Sequence, residues 1–373
     1  MKRTVKLICV VVACLFTATS CALRTQLQPP QAVSASASAT PQSGNQLAGL
    51  GPDVIGASGA VVGVNLYAVS NYSATETTFY GQRMISYIKN DLHAQAVDIV
   101  WNLYALNQND NYVTTESTTL SADNVGILTQ IAQQQHLMVE YRPLIFVQNA
   151  SNDWEGLLRP TDPATWFNSY YQQNVPYLEM AQKYHINEYV VGTEMDDLNS
   201  DVQWPTLLGN SAKIYHGEIS YATHQTRYFP PVNPGEPPPS TPLTGVDMYE
   251  KLELPGSASL SAVEAAYDAY FAGVPEATLR RTAIQETGIE AMDGAYSDPA
   301  NLTKSGTLDE QIQSNYFTAG CEAVKKYHLR GIFFWKVDLA DNPAHPAASE
   351  SVFEGRPGAD AISKCESIIS GGS

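Results

Sequence analysis

From residue 60 onward the chain alternates, eight times over, between a short apolar run suited to a buried strand and an amphipathic stretch suited to a helix. The runs are Val61 to Ala68, Ala96 to Tyr104, Leu137 to Phe146, Glu188 to Thr193, Ile214 to Ala222, Thr244 to Tyr249, Leu279 to Gln285 and Gly331 to Val337. Strands apolar on both faces and separated by helices belong to a parallel sheet covered on both sides, and eight such strands close into a barrel. Ser73 with Glu76, Ser261 with Glu264 and Thr307 with Glu310 match the capping box that starts a helix. Met84, Ile85, Ile88 and Leu92 then share one helical face, as do Ile127, Leu128 and Ile131. An open doubly wound sheet is the alternative. No GxGxxG or P-loop follows any run, and the glycines at 49, 51, 56 and 59 precede the first one and read as linker. The expected fold is a (β/α)8 barrel of the TIM type, one α/β domain over residues 51–373.

The N-terminal residues are of another kind. Met1-Lys2-Arg3 and Lys6 lead into an apolar run from Leu7 to Phe16 and then small residues up to Ser20-Cys21. Basic, apolar and small regions in that order mark an export signal, too short to span a bilayer. Ala18-Thr19-Ser20-Cys21 looks like a bacterial lipobox, with Cys21 lipidated and becoming the mature N-terminus. Ala18 stands where Leu is usual, so ordinary cleavage near Ala22 competes. Residues 1–21 are read as the signal, and residues 22–50, rich in Gln, Pro, Ser and Ala, as a flexible tether. The expected location is a lipid anchor at the cell surface or in the periplasm, or else secretion. Of the five cysteines, Cys9 and Cys14 fall in the signal, leaving Cys321 and Cys365 in helix-like stretches of the folded part. Exported pairs oxidise, so a disulfide between neighbouring helices is expected.

Two glutamates stand where an apolar run stops. Glu194 closes Tyr189-Val190-Val191-Gly192-Thr193, and Glu286 closes Thr282-Ala283-Ile284-Gln285 just before Thr287-Gly288. A carboxyl group at the end of a buried strand sits at the rim of a core, where burial and neighbours tune its pKa. Barrel chemistry belongs to the C-terminal strand ends, and the count puts Glu194 after the fourth run and Glu286 after the seventh. One such glutamate alone is more often a cap or an ion-pair partner. Two together, one kept as an acid and one ionised, are the minimal equipment for cleaving a glycosidic bond. Other clusters carry less. Glu194, Asp196, Asp197 and Asp201 lack the EF-hand order and its glycine. His216 and His224 lack a metal-ligand spacing, Cys321 and Cys365 lack the CxxC spacing, and there is no GxSxG elbow. Neither cofactor nor metal is expected. Net charge is −17, with 38 acidic against 21 basic residues, which repels nucleic acid and anionic polymers and favours a neutral substrate.

Around these glutamates the sequence resembles the retaining glycoside hydrolases built on eight-stranded barrels, and among them glycoside hydrolase family 113, the β-mannanase-like family. The likeness rests on Trp154-Glu155-Gly156, Pro160-Thr161-Asp162, Trp166-Phe167-Asn168-Ser169-Tyr170, Val191-Gly192-Thr193-Glu194-Met195, Gly245-Val246-Asp247-Met248-Tyr249 and Glu286-Thr287-Gly288. It spans most of residues 60–345. It implies a retaining enzyme with Glu194 as acid/base, its pKa raised by its neighbour's charge, and Glu286 as an ionised nucleophile held by hydrogen bonds. The implied partner is a neutral β-linked polysaccharide or oligosaccharide, β-1,4-mannan first, acted on by a monomer. Trp335, ending Phe333-Phe334-Trp335, is placed as an aromatic floor for the sugar, with core packing as the alternative. Tyr249 is a candidate hydrogen-bond partner of the nucleophile, or an ordinary packing residue. Asn65, Trp101 and Arg142, near the ends of runs one to three, are candidates for sugar hydroxyls, with structural roles as the alternative. Trp154 and His224 complete the expected substrate-binding set. Glu155 stands where the family often has Arg, and His224 where it has Asn, departures that bear on contacts to sugar hydroxyls. The prolines at 230, 231, 234, 237, 238, 239 and 242 form a stiff loop expected to wall one end of the cleft. A non-catalytic carbohydrate-binding lipoprotein on the same barrel is the alternative of another class, and it has no need of either carboxylate. A surface scaffold, without a concave aromatic site, is the third reading.

Overall fold

The computed structural model describes residues 55–371 apart from 57–58, 151–153, 225–242, 302–305 and 347–351. The export signal, Cys21, the tether and the proline-rich loop lie outside the described residues. Eight strands, β1 (Val61–Ala68), β2 (Ala96–Ala105), β3 (Met138–Val147), β4 (Glu188–Thr193), β5 (Glu218–His224), β6 (Leu243–Asp247), β7 (Ala283–Thr287) and β8 (Gly331–Asp338), pair in sequence order into a closed barrel. Every pairing is parallel, including β8 with β1. The helices are α1 (Ala74–Asn90), α2 (Ala122–Gln134), α3 (Pro163–Tyr184), α4 (Trp204–Ser211), α5 (Leu260–Phe271), α6 (Glu276–Leu279), α7 (Glu310–Tyr327) and α8 (Pro357–Ser370). The chain is therefore a single-domain (β/α)8 barrel of the TIM type.

Two strands, β5 and β7, begin four residues later than the runs read in the sequence. Ile214 and Tyr215 are apolar and largely buried, yet they follow α4 in a turn, where the Tyr215 N–H donates to Ser211 O and the Tyr215 hydroxyl to Ile186 O. The strand begins only at Glu218. Leu279 ends the short helix α6, and β7 begins at Ala283. Two helix caps differ as well. The Ser73 and Glu76 box closes reciprocally on α1. The N-cap of α5, however, is Ser259, whose Oγ accepts from the Ala262 N–H, and that of α7 is Asp309. Thr307 lies two residues before that cap, beside a short antiparallel bridge where its carbonyl accepts from the Asp293 N–H.

The barrel interior is apolar at the bottom and polar above. Ile55, Val61, Ala96 and Phe333 form a buried cluster at the floor. Phe333 lies across Gly63, where a Cβ would come within 2.3 Å of the ring. Ile55 and Gly56 belong to this floor rather than to a linker. The Ile55 carbonyl accepts from Arg330 Nε at 3.0 Å, and Gly56, at φ 77°, leaves no room for a Cβ against Arg330. Above the floor Asn65, Asp98, Glu140, Arg142, Glu188 and Gln285 are all buried. The apolar mass sits instead between strands and helices, where Trp101, Tyr141, Trp166, Tyr170 and Trp204 are fully buried. Outside the barrel the sulfurs of Cys321 on α7 and Cys365 on α8 are bonded, with Cα atoms 5.4 Å apart.

Candidate active site

Glu194 and Glu286 line one cavity of about 800 Å³ at the C-terminal ends of the strands. Glu194 immediately follows β4 in the left-handed backbone region, at φ 46°, with its N–H donating to Ala222 O on β5 at 2.9 Å. A non-glycine residue there costs roughly 1 kcal/mol, so the packing of the β4 end imposes this conformation on the side chain. Glu194 Oε2 accepts from the indole Nε1–H of Trp154 at 2.7 Å. Glu286 lies within β7 and is nearly buried. Its Oε1 accepts from Arg142 Nη1 at 3.2 Å and its Oε2 from the Tyr249 hydroxyl at 3.0 Å.

Burial is the largest influence on both groups. It raises the Glu194 carboxyl well above the usual carboxylate range, and the charges of Asp247, Glu286 and Glu155 add to it, against the Trp154 hydrogen bond. The neighbour's charge expected to raise Glu194 does so, behind burial and Asp247. Glu286 is also raised well above its ordinary value, by burial and then by Asp247, with Arg142 and Tyr249 opposing. Hydrogen bonds of the kind expected to hold Glu286 ionised are present, from Arg142 and Tyr249. The two sites still differ in kind. Among the described residues the ionised form of Glu286 is met by a guanidinium and a hydroxyl, whereas that of Glu194 is met by a neutral N–H, so hydrogen bonding favours the ionised form more at Glu286.

Among the described residues Arg142 is the cation that meets this charge cluster at its centre. Fully buried, it reaches Asp98 at 2.7 Å, Glu140 at 3.1 Å, and Asp247 and Glu286 at 3.2 Å each. One guanidinium does not balance four buried carboxylates, so protons remain on some of them. Burial together with the charges of Asp98 and Glu188 holds Glu140 well above its ordinary value. Burial moves Asp247 up to about 6 against the pull of Arg142.

The family model of Glycoside Hydrolase Family 113 matches residues 72–355. The chain belongs to this family. It is therefore a glycoside hydrolase. Among solved structures it is similar to a family 113 β-1,4-mannanase complex, with a TM-score of 0.68 at 17% identity over 82% of this chain and 98% of that one. The family 113 β-mannanase of Alicyclobacillus acidocaldarius, in complex with ManMIm, superposes with a TM-score of 0.63 at 16% identity over 83% and 98% of the two chains. A family 5, subfamily 18 protein of Streptomyces cattleya in complex with Manβ1-4GlcNAc gives 0.52 at 14% identity over 82% and 79%. At such identities these likenesses show the shared barrel. No curated protein matches the chain.

Within this family 113 barrel the residues singled out from the sequence fall into two groups. Trp154, His224, Tyr249 and Trp335 line the cavity with the two glutamates, and the Trp154 and His224 rings lie 5.8 Å apart. Arg142, Asn65 and Trp101 do not line it. Arg142 spends its donors on carboxylates, Thr193 Oγ1 and Gln285 O beneath the cavity, so it orients Glu286 instead of meeting a sugar hydroxyl. Asn65 is fully buried and donates to Asp98 and to Gln285 O. Trp101 points to the opposite face of β2, stacked on Tyr177 of α3 at 4.3 Å. Sequence reading passed over Asp247, which accepts from the Thr193 hydroxyl and from Arg142. An acid embedded in the apolar sixth run was a legible signal. It also gave no role to Glu250, Lys251 and Asp298, which complete the cavity rim, with Lys251 paired to Asp298 at 3.2 Å.

Proposed function

We propose that this enzyme cleaves β-1,4-linked mannan, or oligosaccharides derived from it, with retention of configuration through Glu194 and Glu286. The observation that carries the reading is that two carboxyl groups from the ends of β4 and β7 line one cavity with opposite hydrogen-bond surroundings. The mannan assignment draws on the family and on the substrates named for its solved members. In the first step a Glu286 oxygen attacks the anomeric carbon while the bond to the glycosidic oxygen breaks. Glu194 gives its proton to that oxygen, and a glycosyl ester of Glu286 results. In the second step Glu194 takes a proton from water, the water oxygen attacks the same carbon, and Glu286 leaves as a carboxylate. Trp335, Trp154 and His224 supply the ring faces and polar edges that meet the sugar. Export, a lipid anchor at Cys21, the tether and a monomeric state belong to the same proposal.

The test is to incubate wild-type, Glu194→Ala and Glu286→Ala proteins with mannan, glucan, xylan and galactan, following reducing ends and anomeric configuration. Mannan turnover with retained anomers, lost in both variants, is expected. Wild-type-like turnover by either variant would refute its assignment, and silence of the wild type across the panel favours a binding protein.

A further inference from the structure

The barrel mouth carries a row of aromatic rings that the two-step reaction leaves unused. β2 and β3 are longer than their neighbours and run on together past β1 and β4, Asn102 opposite Leu144 and Tyr104 opposite Phe146, while on its other edge Tyr104 bridges to Thr114 of the following loop. Alternate residues of a strand share a face. Leu144 lines the catalytic cavity, so Phe146, two residues further along, continues that face past the cavity's edge. Tyr104 stands beside it with ring centroids 5.9 Å apart. On the other side, at the end of β1, the Tyr67 ring lies 5.7 Å from Trp335. Asn102 joins the two halves, donating from Nδ2 to the Tyr67 hydroxyl at 2.6 Å. All of these rings are half-buried, so each keeps a surface toward solvent.

We propose that Tyr67, Tyr104 and Phe146 form a stacking track that carries further units of a β-linked glycan beyond the cavity, across the C-terminal ends of β1, β2 and β3. The occupant follows from position and chemistry. A chain threaded through the cavity leaves over Trp335 and Leu144, and the next surface it meets is this row. Ring faces flanked by the amide of Asn102 and the hydroxyl of Thr118 match a sugar, which offers an apolar face and a polar edge. The Tyr104 hydroxyl is fixed at 2.7 Å from Thr118 Oγ1 and the Tyr67 ring lies under Lys336 Nζ at 4.7 Å. Such pinning spares the ordering cost of binding. The step from Leu144 to Phe146, two residues along β3, is about 6.6 Å, on the scale of one sugar ring. The track rests on the proposed glycosidase reading and adds to it a dependence on chain length.

The experiment compares kcat/KM on a β-1,4-linked mannohexaose with that on a mannotriose for wild type, Tyr104→Ala, Phe146→Leu and Tyr104→Phe, with thermal melts confirming folding. The ratio of long to short substrate should fall roughly two- to tenfold for each ring lost and be kept by Tyr104→Phe, which retains the ring. An unchanged ratio in Tyr104→Ala and Phe146→Leu overturns the track. So does a ratio lost equally in Tyr104→Phe, which would assign the effect to the Thr118 hydrogen bond. Binding of the hexaose to Glu286→Gln protein, with and without the Tyr104 ring, separates the two proposals. A wild type inert on every mannan but a ring-dependent binding signal sinks the catalytic reading alone, and ring-independent binding sinks the track.

Discussion

Replacing Tyr249 by Phe probes the Glu286 assignment without deleting the glutamate. The substitution removes one hydroxyl, which donates to Glu286 Oε2 at 3.0 Å, and leaves the Arg142 contact to Oε1 in place. A hydrogen bond to an ionised group is worth about 1.5–3 kcal/mol. Glu286 must be ionised to attack, so activity rises with pH as its proton leaves. Its carboxyl is already raised by burial, with Tyr249 one of the two groups holding it down. Removing that group moves the acid limb of kcat/KM to higher pH. At any pH on that limb the ionised fraction, and kcat/KM with it, should fall roughly ten- to a hundredfold. Above the limb Glu286 is ionised in both proteins and the two profiles should converge, apart from any loss of orientation. The assay is a kcat/KM profile against pH on one oligosaccharide, with wild type and variant in the same buffers. A loss by one constant factor at every pH would mean that the hydroxyl only packs. An acid limb moving down would mean that Glu286 is not the group that must ionise.

Trp154→Phe removes the N–H that supports ionised Glu194, so Glu194 should hold its proton longer and the basic limb of the same profile should move up. A basic limb moving down would contradict Glu194 as the acid. The disulfide closes a separation of 44 residues, for which chain entropy gives a stabilisation of about 4 kcal/mol. A Cys321→Ser, Cys365→Ser protein should therefore unfold at clearly lower denaturant, and an unchanged midpoint would show that the bridge contributes nothing. Asp247, Glu218 and Glu354 are raised by burial to about 6, 7 and 7. Groups whose folded values lie above the unfolded ones contribute stability at low pH that is lost as pH rises through the folded values. The melting temperature should accordingly decline between about pH 4.5 and 7, more shallowly in Glu218→Gln. A curve that climbs across this window would reverse the sign argued here.

The barrel was legible because buried strands and amphipathic helices leave different periods in a sequence. β4 coincides with its run from Glu188 to Thr193, and Met84, Ile85, Ile88 and Leu92 are all buried. Ile214 and Tyr215 misled for a plain reason: a buried turn is as apolar as a strand, and only its hydrogen bonds tell them apart. Ser259 and Ser261 both offer a hydroxyl near the start of the same helix, and the cap is Ser259 because its Oγ accepts the Ala262 N–H while Ser261 already lies in the first turn. In the site, Glu194 and Glu286 stood out because each closes an apolar run, although Glu286 itself lies within β7 and Glu194 just after β4. Trp101 could have been set aside by parity, since Tyr104, Asn102 and Asp98 share one face of β2 and Trp101 points to the other. Arg142 was not legible in this way. Its role is set by Asp98, Glu140, Asp247 and Glu286, which four strands bring to one point from as far as 144 residues away, and no local pattern records that meeting.

The crowding of acids around a single arginine also bears on how one glutamate can serve the proposed reaction twice. Burial and the Asp247 charge raise Glu194 whatever the state of its partner, while the Glu286 charge adds to them only when Glu286 is ionised. Before attack that charge is present, so Glu194 keeps the proton it must give to the leaving oxygen. In the glycosyl ester Glu286 is neutral, its contribution vanishes, and Glu194, now ionised after that transfer, is freed of one of the charges that opposed its ionisation. It then stands as a base beside the incoming water. When the ester breaks, the charge returns as Glu194 holds the proton taken from water. The cycle requires that the remaining charges not follow Glu286. Arg142 supplies that constancy, because its contacts to Asp98, Glu140 and Asp247 lie below the cavity and touch no atom that reacts.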